Sequence, residues 1–342
     1  TRGYTVRILD NLNPQIHPSG RPPMYLNPKA EFIKGDVTVY KDWQKALSGI
    51  DCVFHLASAV GVGQSMYEVE HYVKTNSWGT AVFLDILANE KHTVKKMLIA
   101  ASMSSYGEGV YRCTYCSEMK QPDLRNKADL TKGIWEPLCS KCHHQLSAVP
   151  TNEEAQLKGP SVYAITKKNQ EELMIAIGKA YDIPTVSLRF FNVYGSRQSL
   201  SNPYTGVTAI FFSRVKNGQP PLINEDGLQT RDFIHVSDIV SALTLSLEEK
   251  NSDYQIFNIG SGIPISIRKV AEEIISYFGS DVKLEITRKF RVADVRHCYA
   301  DITKIKKTLG WRPKVLFADG IKDVFIWSKR EKAQDLVDQA MS

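Results

Sequence analysis

The sequence predicts an α/β fold, a doubly wound parallel sheet with helices on both faces, followed by a smaller C-terminal α/β lobe. Three observations predict it. Short apolar or β-branched runs recur at Tyr4–Asp10, Ala30–Val37, Asp51–Ser58, Lys96–Ser102 and Ile183–Phe190. Between them lie stretches with helical character, such as Trp43–Leu47 and the segment around Asn76, Gly79 and Thr80. Strands alternating with helices imply parallel pairing with both sheet faces covered. Thirdly, Asp10, Asp36, Ser58 and Ser102 stand at or near the ends of these runs. The carboxyl ends of the strands are where such sheets bind ligands.

Composition narrows the class. The chain has 342 residues, of which 43% are hydrophobic and 23% charged. That suits a soluble globular protein of one or two domains with a large core. The formal net charge is +6. Its basic residues are spread along the chain, not massed in a stripe, so a small anionic ligand is expected and nucleic acid is not. No apolar run reaches the roughly 18 residues needed to span a bilayer, and no signal peptide is evident. The expectation is a cytoplasmic protein with no membrane partner. Its thiols would then be reduced and available to metal.

The elements follow in order. Tyr4–Asp10 is a β-branched strand ending in an acid, followed by Asn11-Leu12-Asn13. In a dinucleotide-binding unit, an acid in this place bonds the adenosine ribose. No glycine-rich turn precedes it. We therefore expect a first strand, its Gly-rich loop and most of the first helix to lie outside this chain. Gly35-Asp36-Val37 closes the next strand, and Ala59–Ser65 is a loop of small residues. Small residues let a backbone approach a cofactor closely.

Tyr163 and Lys167 are four residues apart, hence neighbours on one helix face. A free phenol ionises near pH 10, and an ammonium one turn away would pull that value down. The resulting tyrosinate can act as a general base on a substrate hydroxyl. Alone, such spacing is also common helix surface; the flanking segments give it meaning.

Cys113, Cys116, Cys139 and Cys142 form two C-x-x-C pairs, with 22 residues between them, Ser117 to Leu138. This is close to the zinc-site spacing of about 15–20 residues. Four thiolates on two tight turns suit a tetrahedral structural zinc. Unliganded cysteines or two disulfides are the alternatives, and His143 or His144 offers a rival ligand. The intervening stretch is polar and could not bury a core unaided, so metal would hold it together. Lying between Ser102 and Tyr163, it should sit near the active-site mouth. Cys52 and Cys298 stand alone and read as core residues.

The remaining chain predicts a helix at Thr205–Asn217 and a small hairpin of Pro220–Ile223 with Gly227–Arg231. Then come a helix at Asp238–Glu249, a strand at Tyr254–Ile259 and a helix at Ile267–Phe278. A capped helix within Ala300–Pro313 is stopped by Gly310 and Pro313, and a last helix runs from Phe317 to about Ala340. Expected domain limits are 1–190, with an insert at 108–150, and 191–342 for a substrate lobe interleaved with the first.

Taken together, these segments carry a resemblance. Asp10, Gly35-Asp36-Val37, His55-Leu56-Ala57-Ser58, Asn76, Ser102 and Tyr163 with Lys167 come first. Leu188-Arg189-Phe190-Phe191-Asn192-Val193-Tyr194-Gly195 follows. Arg231-Asp232-Phe233-Ile234-His235-Val236-Ser237-Asp238 and Phe257-Asn258-Ile259-Gly260 complete the series. In this order the chain resembles the extended short-chain dehydrogenase/reductases, the NAD-dependent nucleotide-sugar epimerases and dehydratases with a Rossmann-like domain. The match runs from residue 2 to about residue 330. Gly61-Val62-Gly63-Gln64-Ser65, Tyr106-Gly107-Glu108-Gly109, the cysteine insert and Ser201-Asn202-Pro203-Tyr204-Thr205-Gly206 are most similar to dTDP-L-rhamnose 4-epimerase-type enzymes.

The resemblance implies roles. Ser102 and Tyr163 would bond the reacting sugar hydroxyl, and Lys167 would hold the nicotinamide ribose and depress the tyrosine pKa. Asp10, Asn11, Asp36, Val37, Leu56, Ala57, Ser58, Asn76 and Phe190 would join Tyr163 and Lys167 in lining the NAD site. Asn192, Arg231 and Arg291 would hold the diphosphate of a nucleotide-diphosphate sugar. Arginine suits that task, giving planar charge-assisted contacts to phosphate oxygens. Asp10 favours NAD over NADP, since a carboxylate repels a 2′-phosphate. Dehydratases of the family carry an Asp-Glu pair after the serine, because elimination needs a further acid and base. Here Met103 and Ser104 follow Ser102, so 4-epimerisation through a transient 4-keto sugar is favoured. The alternatives are UDP-glucose- or UDP-glucuronate-type 4-epimerases, a dehydratase, decarboxylase or reductase, or a non-catalytic zinc-knuckle protein. A homodimer built through the Tyr163 helix is also implied.

Overall fold

The expected parallel strands are present in the computed structural model, which describes residues 2–204, 206–291 and 293–336. β1 (Arg7–Asp10) pairs in parallel with β2 (Glu31–Lys34), Asp10 lying opposite Lys34. β3 (Cys52–His55), β4 (Lys96–Ser102), β5 (Thr185–Phe190) and β6 (Ile256–Ile259) form a second parallel block in the spatial order β6-β5-β4-β3. The sheet is thus in two blocks. Among the described residues, no strand pairs with the facing edges of β1 and β3. The register sets Phe190 opposite both Ser102 and Ile259.

β4 explains its own composition. Met97, Leu98 and Ile99 are all fully buried, so both faces are covered and the run is apolar without alternation. One face packs with α1 (Tyr40–Leu47), α2 (Gly79–Asn89) and α3 (Val162–Ala180) in a core holding Trp43, Phe83, Met97 and Met174, against which Leu9 of β1 also packs. The other face contributes Leu98, Leu188 and Phe257 to a core with Ile239 and Trp311.

In the second half, Thr230–His235 is the central strand. It runs antiparallel to Pro264–Ser266 and parallel to His297–Cys298 and Asn192–Tyr194. The predicted hairpin does not form. Leu222–Ile223 instead pairs in parallel with Glu285–Ile286, and the Glu225 amide continues that path by donating to the Lys289 carbonyl at 2.8 Å. Helices Val207–Lys216, Ile267–Phe278 and Phe317–Ser328 close this lobe around Phe212, Ile223 and Ile274. The last helix stops earlier than expected, where Lys216 donates to the carbonyls of Ser328 and Glu331 and so satisfies its C-terminal end. The part predicted for 337–340 lies outside the described residues.

The cysteine insert is a three-stranded antiparallel sheet of Met119–Lys120, Tyr111–Cys113 and Leu146–Ala148. Its core is small, comprising Tyr111, Cys113, Cys139 and Leu146.

Candidate active site

Helix α3 presents the key side chains. The Ser161 hydroxyl caps its start by accepting from the Ala164 amide at 3.2 Å. Tyr163, Thr166, Lys167 and Gln170 then share a face by their spacing of three and four. The half-buried Tyr163 ring lies edge-on to Tyr72, with centroids 6.3 Å apart and planes at 87°. Ser102 ends β4, where its hydroxyl accepts from the Ser104 amide at 3.2 Å and lies 2.8 Å from the Ser104 hydroxyl. Burial raises the Tyr163 pKa, and hydrogen bonding with Ser102 opposes that rise. The 3-10 turn after Ser102 reaches the Tyr163 helix, where the Ser105 hydroxyl donates to the Ala164 carbonyl at 3.3 Å.

Lys167 lies one turn beyond Tyr163 on the same helix face. Its ammonium donates to Gln170 Oε1 at 2.8 Å. Burial lowers its pKa to about 7, against the opposing charge of Glu171. Burial thus acts on both side chains, lowering the Lys167 pKa and raising that of Tyr163. Gln170 in turn donates to Thr80 Oγ1 at 2.8 Å and reaches His55 Nε2 at 3.3 Å. Burial, with Lys167 adding, lowers the His55 pKa to about 3, so this imidazole is neutral.

Asn76 lies in a π-helical turn, Val73–Trp78, which joins Val69–Tyr72 to α2. Such turns mark functional sites often. Its carboxamide oxygen accepts from the Ala59 amide at 2.7 Å and the Ser58 hydroxyl at 3.1 Å. Its nitrogen donates to the Ala59 carbonyl at 3.1 Å and to Thr166 Oγ1 at 3.0 Å. The side chain is fully buried and wholly engaged. Asn76 ties the loop after β3 to α3.

At the other end of the cleft, Asp10 Oδ1 accepts from the Leu12 amide at 2.7 Å. Asn11 donates to Asp36 Oδ2 at 2.9 Å. Burial would raise the Asp36 pKa, but hydrogen bonds from Asn11 and Thr38 outweigh it and hold the carboxyl below its usual value. Val37 packs on Gly79, where an added Cβ would lie 2.8 Å from its Cγ2. Leu56 is exposed, while Ala57, Ser58 and Phe190 are half-buried.

Asn192 Oδ1 is buried and has no hydrogen-bond partner among the described residues. Arg231 donates to the carbonyls of Thr230 and Arg296, at 2.9 and 3.1 Å, and to that of Val295. A guanidinium carries five donors, so others stay available to a ligand. Arg291 is exposed, with Nη1 4.0 Å from the point where a Gly63 Cβ would stand. The mouth is drawn together by Gln15, which donates to Gln64 at 3.2 Å and Asn202 at 3.1 Å, and by Tyr67, whose hydroxyl donates to that of Tyr204 at 2.7 Å. The sequence assigned no role to Gln170, and none to Thr80 or His55 beyond their place in the quoted segments. Gln170 at i+3 from Lys167 was the available signal.

The four insert thiols converge, all Sγ atoms lying within 4.8 Å of one another. Cys113 and Cys142 are 3.4 Å apart, Cys116 and Cys139 3.7 Å, and all are free thiols. Tetrahedral zinc with Zn–S of about 2.3 Å needs sulfurs about 3.8 Å apart, so this donor set fits a metal ion. His143 and His144 are not in the cluster. Cys298 is buried and Cys52 half-buried, both apart from it. No helix among the described residues is long and apolar enough to cross a membrane.

Comparison with known proteins agrees with this geometry. Residues 1–132 match the NAD dependent epimerase/dehydratase family, and residues 139–324 match GDP-mannose 4,6 dehydratase. The chain is 32% identical to dTDP-L-rhamnose 4-epimerase of Burkholderia thailandensis, over 95% of this chain and 88% of that protein. It is 29% identical to a putative UDP-glucose 4-epimerase of Methanocaldococcus jannaschii, over 95% and 91%. Among solved structures, UDP-glucose 4-epimerase of Thermotoga maritima with UDP-glucose superposes with a TM-score of 0.77 at 28% identity, covering 96% of this chain and 92% of that one. UDP-glucuronic acid 4-epimerase of Bacillus cereus, in complex with UDP-glucuronic acid and NAD, gives 0.73 at 25% identity, covering 96% and 91%. With its strand-end acids, its Ser102–Tyr163 pair and these relatives, the chain belongs to the NAD-dependent epimerase/dehydratase family, the extended short-chain dehydrogenase/reductases.

Proposed function

We propose that this protein is an NAD-dependent nucleotide-sugar 4-epimerase whose first candidate substrate is dTDP-L-rhamnose, with UDP-glucose and UDP-glucuronate as the alternatives. The observation that carries this reading is the Ser102–Tyr163 pair at the carboxyl end of β4, beside the buried Lys167. NAD, when bound, supplies reversible hydride acceptance at C4 of the sugar. The donor set fits it: carboxylates at Asp10 and Asp36 suit ribose hydroxyls, and α3 brings Tyr163 and Lys167 to the strand ends.

Tyr163, once ionised, takes the proton of the sugar hydroxyl as its phenolate and gives it back after the ketone has turned over. Ser102 holds the same oxygen. Lys167, poised near neutrality, bonds the cofactor ribose and shares the proton load with Tyr163. Arg231 and Arg291 bind the diphosphate, with the Asn192 carboxamide nitrogen as a further donor; its oxygen, without a hydrogen-bond partner among the described residues, is left to accept from a ligand hydroxyl.

The dehydratase match over residues 139–324 favours a second reading, elimination of water. Met103 is buried and the Ser104 hydroxyl is engaged with Ser102. Neither can supply the acid or base that elimination requires, so epimerisation is preferred. We read the insert as a structural zinc site of four cysteine thiolates, and the protein as a cytoplasmic homodimer. Exposed Val69, Val73, Trp78 and Ile165, on or beside the helices around Tyr163, support that pairing.

Incubation with dTDP-L-rhamnose, UDP-glucose and UDP-glucuronate, followed by proton NMR, tests the reading. A C4 epimer of unchanged mass from one of them is expected. A dehydrated product, or no turnover of any of the three with NAD added, overturns it.

A further inference from the structure

The cysteine insert is joined to the substrate lobe by buried charge. From the insert side come Glu108, Arg125 and Glu136; from the lobe come Glu225, Asp226, Arg296 and His297. Arg125 makes a bidentate pair with Glu225 at 2.8 and 2.9 Å, and donates to the Asp294 carbonyl at 2.9 Å. Arg296 bonds Glu225 at 2.9 Å, Asp226 at 2.7 and 3.0 Å, and Glu136 at 2.6 and 2.9 Å. Glu108, Arg125, Glu225 and Arg296 are all nearly or wholly buried. Buried ion pairs of this kind add little stability over apolar residues of the same volume. Here they join the two parts through directional, multiply bonded contacts.

The geometry they fix belongs to Arg231. Its guanidinium rests on the carbonyls of Val295 and Arg296. The opposite side of the same peptide units is held by the insert. The Arg296 amide donates to Glu108 Oε1 at 2.8 Å, and the His297 amide donates to the Tyr111 hydroxyl at 3.1 Å. That hydroxyl donates to Glu108 Oε2 at 2.6 Å. Tyr111 begins the three-residue strand that ends in Cys113, the first of the four thiols.

We propose that the cysteine insert is a positioning module for nucleotide-diphosphate binding, in which Tyr111 and Arg125 hold the 294–297 segment that orients Arg231. The inference deepens the functional reading above and rests on Arg231 being a diphosphate ligand. It gives the insert a role in substrate affinity rather than in the chemical step.

The test measures binding of UDP and dTDP, as separate probes, and of NAD to the full chain by calorimetry, with kcat and KM for whichever sugar nucleotide turns over. Arg125→Met removes the bidentate link while Glu225 keeps Arg296. Tyr111→Phe removes one hydroxyl and keeps the ring, so the fold is retained. Both should bind the tighter nucleotide diphosphate between about threefold and about thirtyfold more weakly and raise KM by as much. NAD affinity and kcat should stay within about twofold of wild type, a split that general destabilisation would not produce. Arg231→Lys is the control and should lose at least as much. Unchanged UDP and dTDP affinity in both Arg125→Met and Tyr111→Phe, with Arg231→Lys weakened, overturns the positioning role alone. Unchanged affinity in Arg231→Lys overturns the diphosphate reading and the inference with it.

Discussion

Lys167 donates a hydrogen bond to the Gln170 carboxamide oxygen, 2.8 Å away, on the next turn of the helix that carries Tyr163. The lysine is thereby held by a neutral partner, in a pocket also lined by His55 and Thr80. A carboxamide orients an ammonium without stabilising its charge as a carboxylate would. Burial lowers its pKa to about 7, and only the more distant charge of Glu171 opposes the fall.

Replacing that partner by a carboxylate should reverse the effect. Gln170→Glu places an opposite charge beside the ammonium, which favours the charged form by about one to three pH units. An NMR titration of isotope-labelled lysine should show Lys167 ionising well above the wild-type value. An unchanged titration would mean that Gln170 does not set it.

The same burial makes stability depend on pH. Lys167 has a folded pKa of about 7 against 10.5 for the unfolded chain. Between these values the unfolded state binds more protons, so stability rises with pH there. The penalty is complete below about pH 7 and fades towards pH 10.5. The slope is at most about 1.4 kcal/mol per pH unit. Urea unfolding between pH 7 and 9 should show this rise in wild type and its loss in Lys167→Met.

Tyr163→Phe removes the proton carrier and leaves the ring against Tyr72. Turnover should fall by about 10²- to 10⁴-fold, while calorimetric affinity for NAD and sugar nucleotide changes little. Retained turnover would transfer the proton step to another group.

Metal analysis of freshly purified, reduced protein should find about one zinc per chain. Cys142→Ser should lose it, and hydrogen exchange should then speed up across 111–148 while Lys96–Ser102 and α3 stay protected. An absence of metal from wild-type protein would contradict the site.

Some of this was legible in the chain itself. Lys96–Ser102 and Ile267–Phe278 are observed with the predicted bounds, the first because both its faces are buried, the second because its apolar residues keep a helical period. The four cysteines converge as their local spacing implied. What resisted reading depends on distant partners. Leu222–Ile223 pairs with residues some sixty positions on, which no local pattern reveals. The state of Lys167 depends on His55, Thr80 and Gln170, drawn from three elements. The π-helical setting of Asn76 and its complete engagement appear only once Ser58, Ala59 and Thr166 are brought around it.

The most direct measurement is the fate of the hydrogen on C4 when turnover runs in deuterium oxide. Oxidation and return by one bound cofactor keep that hydrogen with its own carbon, since it never meets solvent. Proton NMR and mass spectrometry of the epimer should therefore find protium at C4 and no deuterium on any ring carbon. Solvent deuterium at C4 or C5, or a product lighter by one water, would contradict epimerisation by the Ser102–Tyr163 pair.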